Sequence, residues 1–233
     1  FTYRMTAPSR LAGDAMVVHE TLDQVAEPRL SWIYSSSQRR VRRAPGIDYD
    51  TTGPGTGGLR TADSRDMFNG APDRYDWQLL GKKVLHVPYN SYRLASPELR
   101  YRALIRPGHV DPSPTRYELH RVWEVVATLK PGAQHIYGKR RYYIDEDSWA
   151  ILEADLYDQR GTLWRTTAAH SFYHPGGEAV VNAMEATYDL KSGRYHVSGL
   201  INEQRMPYVF NVPTSLSYFS PGALRSHSNS PLL

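Results

Sequence analysis

The sequence predicts a mainly β protein, built on a strongly curved antiparallel sheet with a few short helices. Its 17 Tyr and 5 Trp favour strands, and its 16 Pro and 17 Gly supply turns between them. Polar and apolar residues alternate over residues 117–129, and such a strand would span roughly 43 Å at its usual rise per residue. Twist accumulates over that length and curls a sheet, so it either closes into a barrel or needs helices to cover its concave face.

The C-terminal half is predicted to be a meander of antiparallel strands. The alternation over residues 117–129 predicts one buried face that includes Leu119 and Trp123, and Pro131-Gly132 ends this strand. Short polar segments suited to turns separate the strands that follow. The later strands are predicted over residues 136–144, 150–157, 163–173, 183–190 and 195–201.

The N-terminal half is less regular but compatible with the same fold class. Strands are predicted over residues 15–24, 29–35 and 38–43, the last of them returning from a Ser-rich turn. Helical signals are short. They cover residues 64–68, residues 97–104 behind a Ser cap, and residues 221–226 behind Ser220.

Composition bounds the class of protein. A chain of 233 residues is compatible with one domain spanning 1–233, and no apolar run approaches the ~20 residues of a membrane helix. Cysteine is absent, which excludes disulfides and thiol chemistry. The chain opens on alternating residues without an initiator Met, so we expect a leader and further chain upstream of it.

Catalytic and metal-binding motifs are not evident. The acidic run Asp145, Glu146 and Asp147 is interpreted as a solvated hairpin turn, because neighbouring turn residues point in divergent directions. His170 and His174 would lie ~13 Å apart on a strand, too far to share an ion. No nucleophile elbow or phosphate loop occurs. We therefore predict no metal, no cofactor and no enzymatic activity.

Arginine dominates the basic residues, with 23 Arg and five Lys among the 28. The densest cluster is Arg39, Arg40, Arg42 and Arg43, which could contact nucleic-acid phosphate, an anionic lipid headgroup or an acidic partner. The favoured interpretation is a strand with Arg on its solvated face. Lipid or partner contact is favoured over nucleic acid, for which no motif frames the cluster.

Several segments resemble an uncharacterised proteobacterial family whose members are labelled outer-membrane lipoprotein-sorting proteins. The segments are 39–45, 59–63, 67–77, 116–123 and 143–149. That family resembles the LolA/LolB lipoprotein carriers. The resemblance implies an unclosed half-barrel lidded by helices, an apolar cavity for acyl chains and a place in the periplasm of a Gram-negative bacterium, with outer-membrane association as an option. Members of the family are longer than this chain, which implies that it is the C-terminal part of a longer exported precursor.

The leading functional hypothesis is a periplasmic carrier for a lipid, a lipoprotein acyl chain or another hydrophobic ligand. An alternative is an envelope interaction module that docks on an outer-membrane or efflux protein through the Arg cluster. A minor alternative is a hydrolase, which would require two convergent carboxylates with one raised pKa. The predicted cavity residues are Trp32, Leu119, Trp123, Leu152, Leu156, Trp164, Phe172, Met184 and Tyr188.

Overall fold

A computed structural model describes residues 1–44, 49–53, 55–205 and 207–227. The described residues contain thirteen strands, numbered here in chain order. The strands are β1 Thr2–Arg4, β2 Ala15–His19, β3 Leu30–Ser35, β4 Arg40–Arg43, β5 Tyr75–Pro88, β6 Ile105–Arg106, β7 His109–Val110, β8 Tyr117–Leu129, β9 Lys139–Asp145, β10 Ile151–Tyr157, β11 Leu163–His174, β12 Ala179–Asp189 and β13 Tyr195–Ser198.

The chain forms two compact units, residues 1–48 with 212–233, and residues 49–211. In the first unit, β1 to β4 pair in order as an antiparallel sheet. One face of this sheet packs against Leu224 of the short helix Leu224–His227. The predicted cap is present: Ser220 Oγ accepts a hydrogen bond from the Ala223 amide at 3.3 Å. The prediction of one domain over residues 1–233 stays a prediction.

The second unit contains a seven-stranded antiparallel sheet in the order β13-β12-β11-β10-β9-β8-β5. The meander predicted for the C-terminal half is confirmed, and β8 has the predicted bounds. Gly161 has a φ of +77° in the loop between β10 and β11, which is why glycine suits that turn. Because β5 and β13 do not pair with each other, the sheet is unclosed.

The seven-stranded sheet is strongly curved toward one face. Val87 of β5, Val122 of β8 and Leu152 of β10 pack in one buried cluster. In a flat sheet β5 and β10 would lie roughly 14 Å apart, three strand spacings. Beyond β5, the Ser91 amide donates to the carbonyl of Ser171 in β11 at 2.9 Å. The face that carries Val87, Val122 and Leu152 is therefore concave.

Each face of the sheet has its own covering segment. On the convex face, Met67 and Phe68 from the segment before β5 pack against Tyr142, Ala154 and Leu156. On the concave face, one end is covered by residues 94–110, a segment that includes the four-residue helix Tyr101–Leu104. This segment places a set of apolar side chains against β11 and β12. They are Leu94, Leu99, Leu104 and Val110.

The structure differs from the sequence predictions in three respects. The long strand β5 was not predicted. Two of the three predicted helical segments are shorter than predicted: residues 97–104 are helical only over Tyr101–Leu104, and of residues 64–68 only Ser64 is helical, at the end of the short 3-10 helix Ala62–Ser64. The segment predicted over residues 221–226 is helical, as Pro221–Ala223 followed by Leu224–His227. The predicted buried face of β8 is also wrong over its first half, because Leu119 is 62 % exposed while Val122 on the opposite face is fully buried. In the part of the chain that the structure describes, we find no helix long and apolar enough to span a membrane.

Candidate functional site

The middle of the concave face is left incompletely covered. Residues that alternate along β9 and β11 show this directly. Tyr142 and Ala169 point to the convex side and are almost completely buried. Their neighbours Tyr143 and Ala168, on the concave side, are only half-buried. We call this half-buried patch of the concave face, around Tyr143 and Ala168, the recess. A concave patch of this kind can accommodate a ligand.

Two carboxylates lie in this recess. Glu153 and Asp155 are two residues apart on β10, so both side chains point to the same face. Glu153 is paired across the strands with Tyr143 and Ala168. Burial, reinforced by the neighbouring charge of Asp155, raises the pKa of Glu153 to about 7. Burial also raises the pKa of Asp155, although the Tyr143 hydroxyl donates to its Oδ2 at 3.2 Å.

These carboxylates bear on the hydrolase alternative, which requires two convergent carboxylates with one raised pKa. Glu153 and Asp155 converge, but burial shifts both pKa values upward. Acid–base catalysis by a carboxylate pair requires environments that push the two pKa values apart, so that one group holds a proton and the other is ionised. The pair therefore resembles a binding feature more than a differentiated acid and base.

Aromatic side chains and one histidine surround the pair. Burial, together with the charges of Glu153 and Tyr188, raises the pKa of Tyr117. The Tyr117 ring lies edge-on to the His170 ring, with centroids 6.0 Å apart. His170 is only 4 % exposed, and burial lowers its pKa to about 4. Among the described residues its Nδ1 has no hydrogen-bond partner. Tyr188 stacks on Tyr195 at 5.6 Å beside the same recess.

A second polar cluster closes the hairpin between β9 and β10. His120 Nδ1 lies 3.0 Å from Asp145 Oδ1, and Ser148 donates its amide and hydroxyl to Asp145 Oδ2 at 2.9 and 2.6 Å. Burial acts to raise the pKa of Asp145, but these hydrogen bonds outweigh it and the net shift is downward. The predicted turn between β9 and β10 is present, but Asp145 is buried, which corrects the prediction that all three acidic residues are solvated.

The same cluster has the spacing of a possible metal site. Among the described residues, His120, Asp145 and Asp147 each offer one potential ligand atom, and these atoms lie within 4.8 Å of one another. The oxygens of Asp145 already accept hydrogen bonds from Ser148, His120 and Tyr89. A cation would have to displace these donors. The arrangement is therefore interpreted as the closure of the hairpin.

A buried ionic network on the convex face was not predicted from the sequence. Arg140 is fully buried, and its Nη2 donates to Asp63 Oδ2 at 2.6 Å. His135 Nε2 lies 3.2 Å from the same oxygen. Next to it, Arg165 donates to Asp189 Oδ2 at 3.1 Å and to the Tyr137 hydroxyl at 2.8 Å. The network connects the segment that contains Asp63 to the sheet. Arg140 occurs in an ordinary alternating strand, so the sequence alone does not indicate that it is buried and paired with Asp63.

Comparison with known proteins now identifies the family. The family described as "Protein of unknown function (DUF1329)" matches residues 1–225. The chain belongs to this family. The "Uncharacterized protein PA3922" of Pseudomonas aeruginosa is 56% identical to this DUF1329 chain over 225 residues, which are 97% of this chain and 50% of the relative. The chain therefore spans about half the length of the curated relative it matches.

Two crystal structures share the fold of this DUF1329 chain. A "putative outer membrane lipoprotein-sorting protein domain" from Vibrio parahaemolyticus has a TM-score of 0.59 at 12% identity, covering 96% of this chain and 76% of that one. A DUF1329 family protein from Desulfovibrio piger has a TM-score of 0.55 at 19% identity, covering 96% and 75%. The predicted fold class and family resemblance are confirmed.

The structure divides the predicted cavity residues of the DUF1329 chain among several places. On the concave side, Leu152 is fully buried with Val87 and Val122, whereas Phe172, Met184 and Tyr188 lie in the cluster beneath residues 94–110. Four others belong to the convex side. Leu119 and Trp123 lie on the less buried part of β8, and Leu156 and Trp164 pack in the convex core.

Trp32 lies in the four-stranded sheet of the other unit. The predicted set therefore does not line one recess, because sequence alternation alone does not distinguish the concave face from the convex one. Sequence analysis missed Glu153, Asp155 and Tyr143. The alternation of acidic and apolar residues in β10 was the available signal, and it fits a solvated face equally well.

Proposed function

We propose that this DUF1329 protein is a carrier that binds a hydrophobic ligand on the concave face of its seven-stranded sheet. The observation that carries the proposal is the half-buried middle of that face, opposite the part of the convex face over β9 to β11 that is packed and buried. Apolar and aromatic side chains with only a few polar groups are the usual lining of ligand sites. Tyr143, Ala168 and Tyr188 provide such a lining here.

A periplasmic location in a Gram-negative bacterium, associated with lipid or lipoprotein handling, is part of the proposal. The Vibrio structure is described as a lipoprotein-sorting domain, and this chain shares its fold. Fold alone does not determine a ligand. The class of ligand is therefore argued from the recess, whose lining is suited to an apolar chain or ring system.

Fluorescence of the neutral probe N-phenyl-1-naphthylamine tests the proposal. We expect the wild-type protein to enhance and saturate the emission of this probe. Ala168→Trp places an indole in the middle of the recess and should weaken binding by at least about tenfold, the effect of ~1.4 kcal/mol. Ala26→Trp is the matched control, since Ala26 is exposed in the other unit and should leave binding unchanged.

Folding of each variant is checked by circular dichroism and thermal unfolding. Thr166→Phe provides a second obstruction of the same face if Ala168→Trp does not fold. Absence of saturable binding to the wild type would overturn the proposal. Equal affinities for the probe in wild type and in both obstructed variants would do so as well, because the ligand would then bind elsewhere.

A second candidate function, docking on an outer-membrane or efflux protein, is favoured by the Arg cluster. Arg39, Arg40, Arg42 and Arg43 are all exposed, and β4 is an edge strand. No carboxylate of a described residue lies within ion-pair distance of them. Three of these Arg line a shallow groove of about 280 Å³ over Ile33 and Ala44. Unpaired guanidinium groups beside an open strand edge suit an acidic partner.

Charge reversal distinguishes docking from carriage. Arg40→Glu with Arg42→Glu should abolish capture of an envelope partner in a pull-down and leave probe binding unchanged. The matched control is Arg10→Glu with Arg205→Glu, which changes the net charge equally at exposed positions outside the cluster. Capture that is unaffected by reversal in the cluster, or is lost equally in the control, would contradict a docking role for β4.

A further inference from the structure

Glu153 places a carboxylate without a partner in the recess. Glu153 is half-buried in the recess, yet among the described residues it has neither a hydrogen-bond donor nor a cationic partner. Buried carboxylates in folded proteins are normally paired with a charge or a donor. Asp155 lies next to it and adds like charge. An ionised Glu153 therefore lacks compensation within the described structure.

The basic residues of the neighbouring strands on this face do not supply that compensation. Arg141 is paired across the strands with Asp155, but its Nη1 forms an ion pair with Glu124 Oε1 at 3.0 Å. Lys83 is bonded to the second oxygen of Glu124 at 2.8 Å. Both cations are thus paired with Glu124 and not with Glu153.

A second, independent feature lies on the same face. His170 is two residues from Ala168, the cross-strand partner of Glu153, so its side chain shares the concave side. It is 4 % exposed, and its Nδ1 has no partner in the described part of the chain. The Tyr117 ring contacts His170 and is close enough to Glu153 to respond to its charge. The three side chains thus border one space.

The chemistry of these groups is selective for a cation. An ammonium group has three N–H donors and no acceptor. A carboxylate and a neutral imidazole nitrogen are both acceptors, and tyrosine rings attract cations through their π faces. Burial keeps His170 neutral near pH 7, so it would not repel a cation. An anionic headgroup would instead meet two carboxylates.

We propose that the recess recognises an amphiphile with an ammonium headgroup, which pairs with Glu153 and lies against Tyr117 and His170. This inference rests on the proposed function, because the apolar part of the ligand would occupy the concave face described above. The apolar part lies toward Ala168 and Tyr188, and the ammonium group supplies the positive charge that Glu153 lacks.

Calorimetric titration with octylammonium, octan-1-ol and octanoate at pH 8 compares three headgroups on the same eight-carbon alkyl chain. We expect octylammonium to bind about tenfold tighter than octan-1-ol, the effect of one charge-assisted hydrogen bond, and octanoate to bind weakest. Glu153→Gln should remove the preference for octylammonium while retaining octan-1-ol binding. Glu98→Gln, at an exposed position, is the matched control and should retain the preference.

The outcomes separate the two proposals. Binding of octan-1-ol without preference for octylammonium, or a preference that survives Glu153→Gln, would overturn the headgroup assignment and leave carriage standing. Absence of binding by all three compounds would overturn the proposed function itself. Gln is close in size to Glu and removes an uncompensated charge, so thermal unfolding should show the variant at least as stable as the wild type at pH 8.

Affinity for octylammonium should also rise with pH. Glu153 has a pKa of about 7 in the free protein, so it changes from mostly protonated to mostly ionised as pH increases from 6 to 8. The titratable and charged groups that face it are Asp155, Tyr117, Tyr143, Glu124, Arg141, Tyr188 and His170. A preference for octylammonium that is constant over this range would contradict the role of Glu153.

Discussion

Replacing Asp63 by Asn provides a direct test of how the sheet is held to the segment that covers its convex face. The Asp63 carboxylate is 2 % exposed and is bonded to Arg140, His135 and Thr61. Asn has nearly the same shape but no charge. The substitution therefore leaves the guanidinium of Arg140, which is fully buried, without a counter-charge.

The expected loss of stability is about 3–5 kcal/mol, the usual cost of removing one partner from a buried ion pair. The pH dependence adds a second signature. Burial acts to raise the pKa of Asp63, but His135 and Arg140 outweigh it and the net shift is downward. A depressed native pKa stabilises the fold above the unfolded pKa of about 4, and this contribution is lost as pH falls through the native pKa.

Urea unfolding followed by tryptophan fluorescence measures both effects. Asp158→Asn is the matched control, because Asp158 pairs with Lys191 at the surface and its replacement should cost much less than that of Asp63. The difference in unfolding free energy between wild type and Asp63→Asn should shrink below pH 4. A cost below about 1 kcal/mol for Asp63→Asn, or equal costs for the two variants, would refute the role of the buried network.

Two further predictions concern the sheet. Leu152→Ala should reduce the unfolding free energy by about 2–5 kcal/mol, because it opens a cavity beside Val87 and Val122. Leu119→Ala, at an exposed position, should change it by less than about 0.5 kcal/mol. Similar losses for the two variants in urea unfolding would mean that the concave and convex faces are misassigned. Glu153→Gln should stabilise the protein at pH 8 by about 1–2 kcal/mol after allowance for partial exposure, because a raised native pKa favours folding of the protonated form and that contribution is lost as pH rises through about 7. The gain should decrease as pH is lowered and vanish below the unfolded pKa of about 4; a gain that does not vary with pH in thermal unfolding would disagree with this assignment.

The fold class could be predicted because local signals were strong where the strands are regular. Thirteen alternating residues followed by Pro131-Gly132 define β8 without tertiary information. By contrast, β5 was missed because Leu79, Leu80 and Gly81 interrupt its alternation at a bulge, where Gly81 has a φ of +116°. Most of β5 is exposed, so it has no buried face to produce a pattern.

The sequence predicted that a concave face exists but not which residues lie on it. Strand length implied curvature, and curvature implied a concave face, but alternation does not say which face is concave. Leu152 and Leu156 have the same parity on β10, yet the bulge after Ile151 places Leu152 in the concave cluster and Leu156 in the convex core. Glu153 becomes distinctive only through the burial that the folded sheet imposes on it.

Photocrosslinking with a neutral alkyl diazirine probe identifies the residues that a bound apolar ligand contacts. The probe is irradiated in the presence of the full chain, and the modified residues are mapped by peptide mass spectrometry. We expect modification on the concave side of β9 to β12, at Tyr143, Thr166, Ala168 and Tyr188, and its loss in Ala168→Trp. Modification concentrated instead at exposed apolar residues such as Leu79 and Leu119 would contradict binding in the recess.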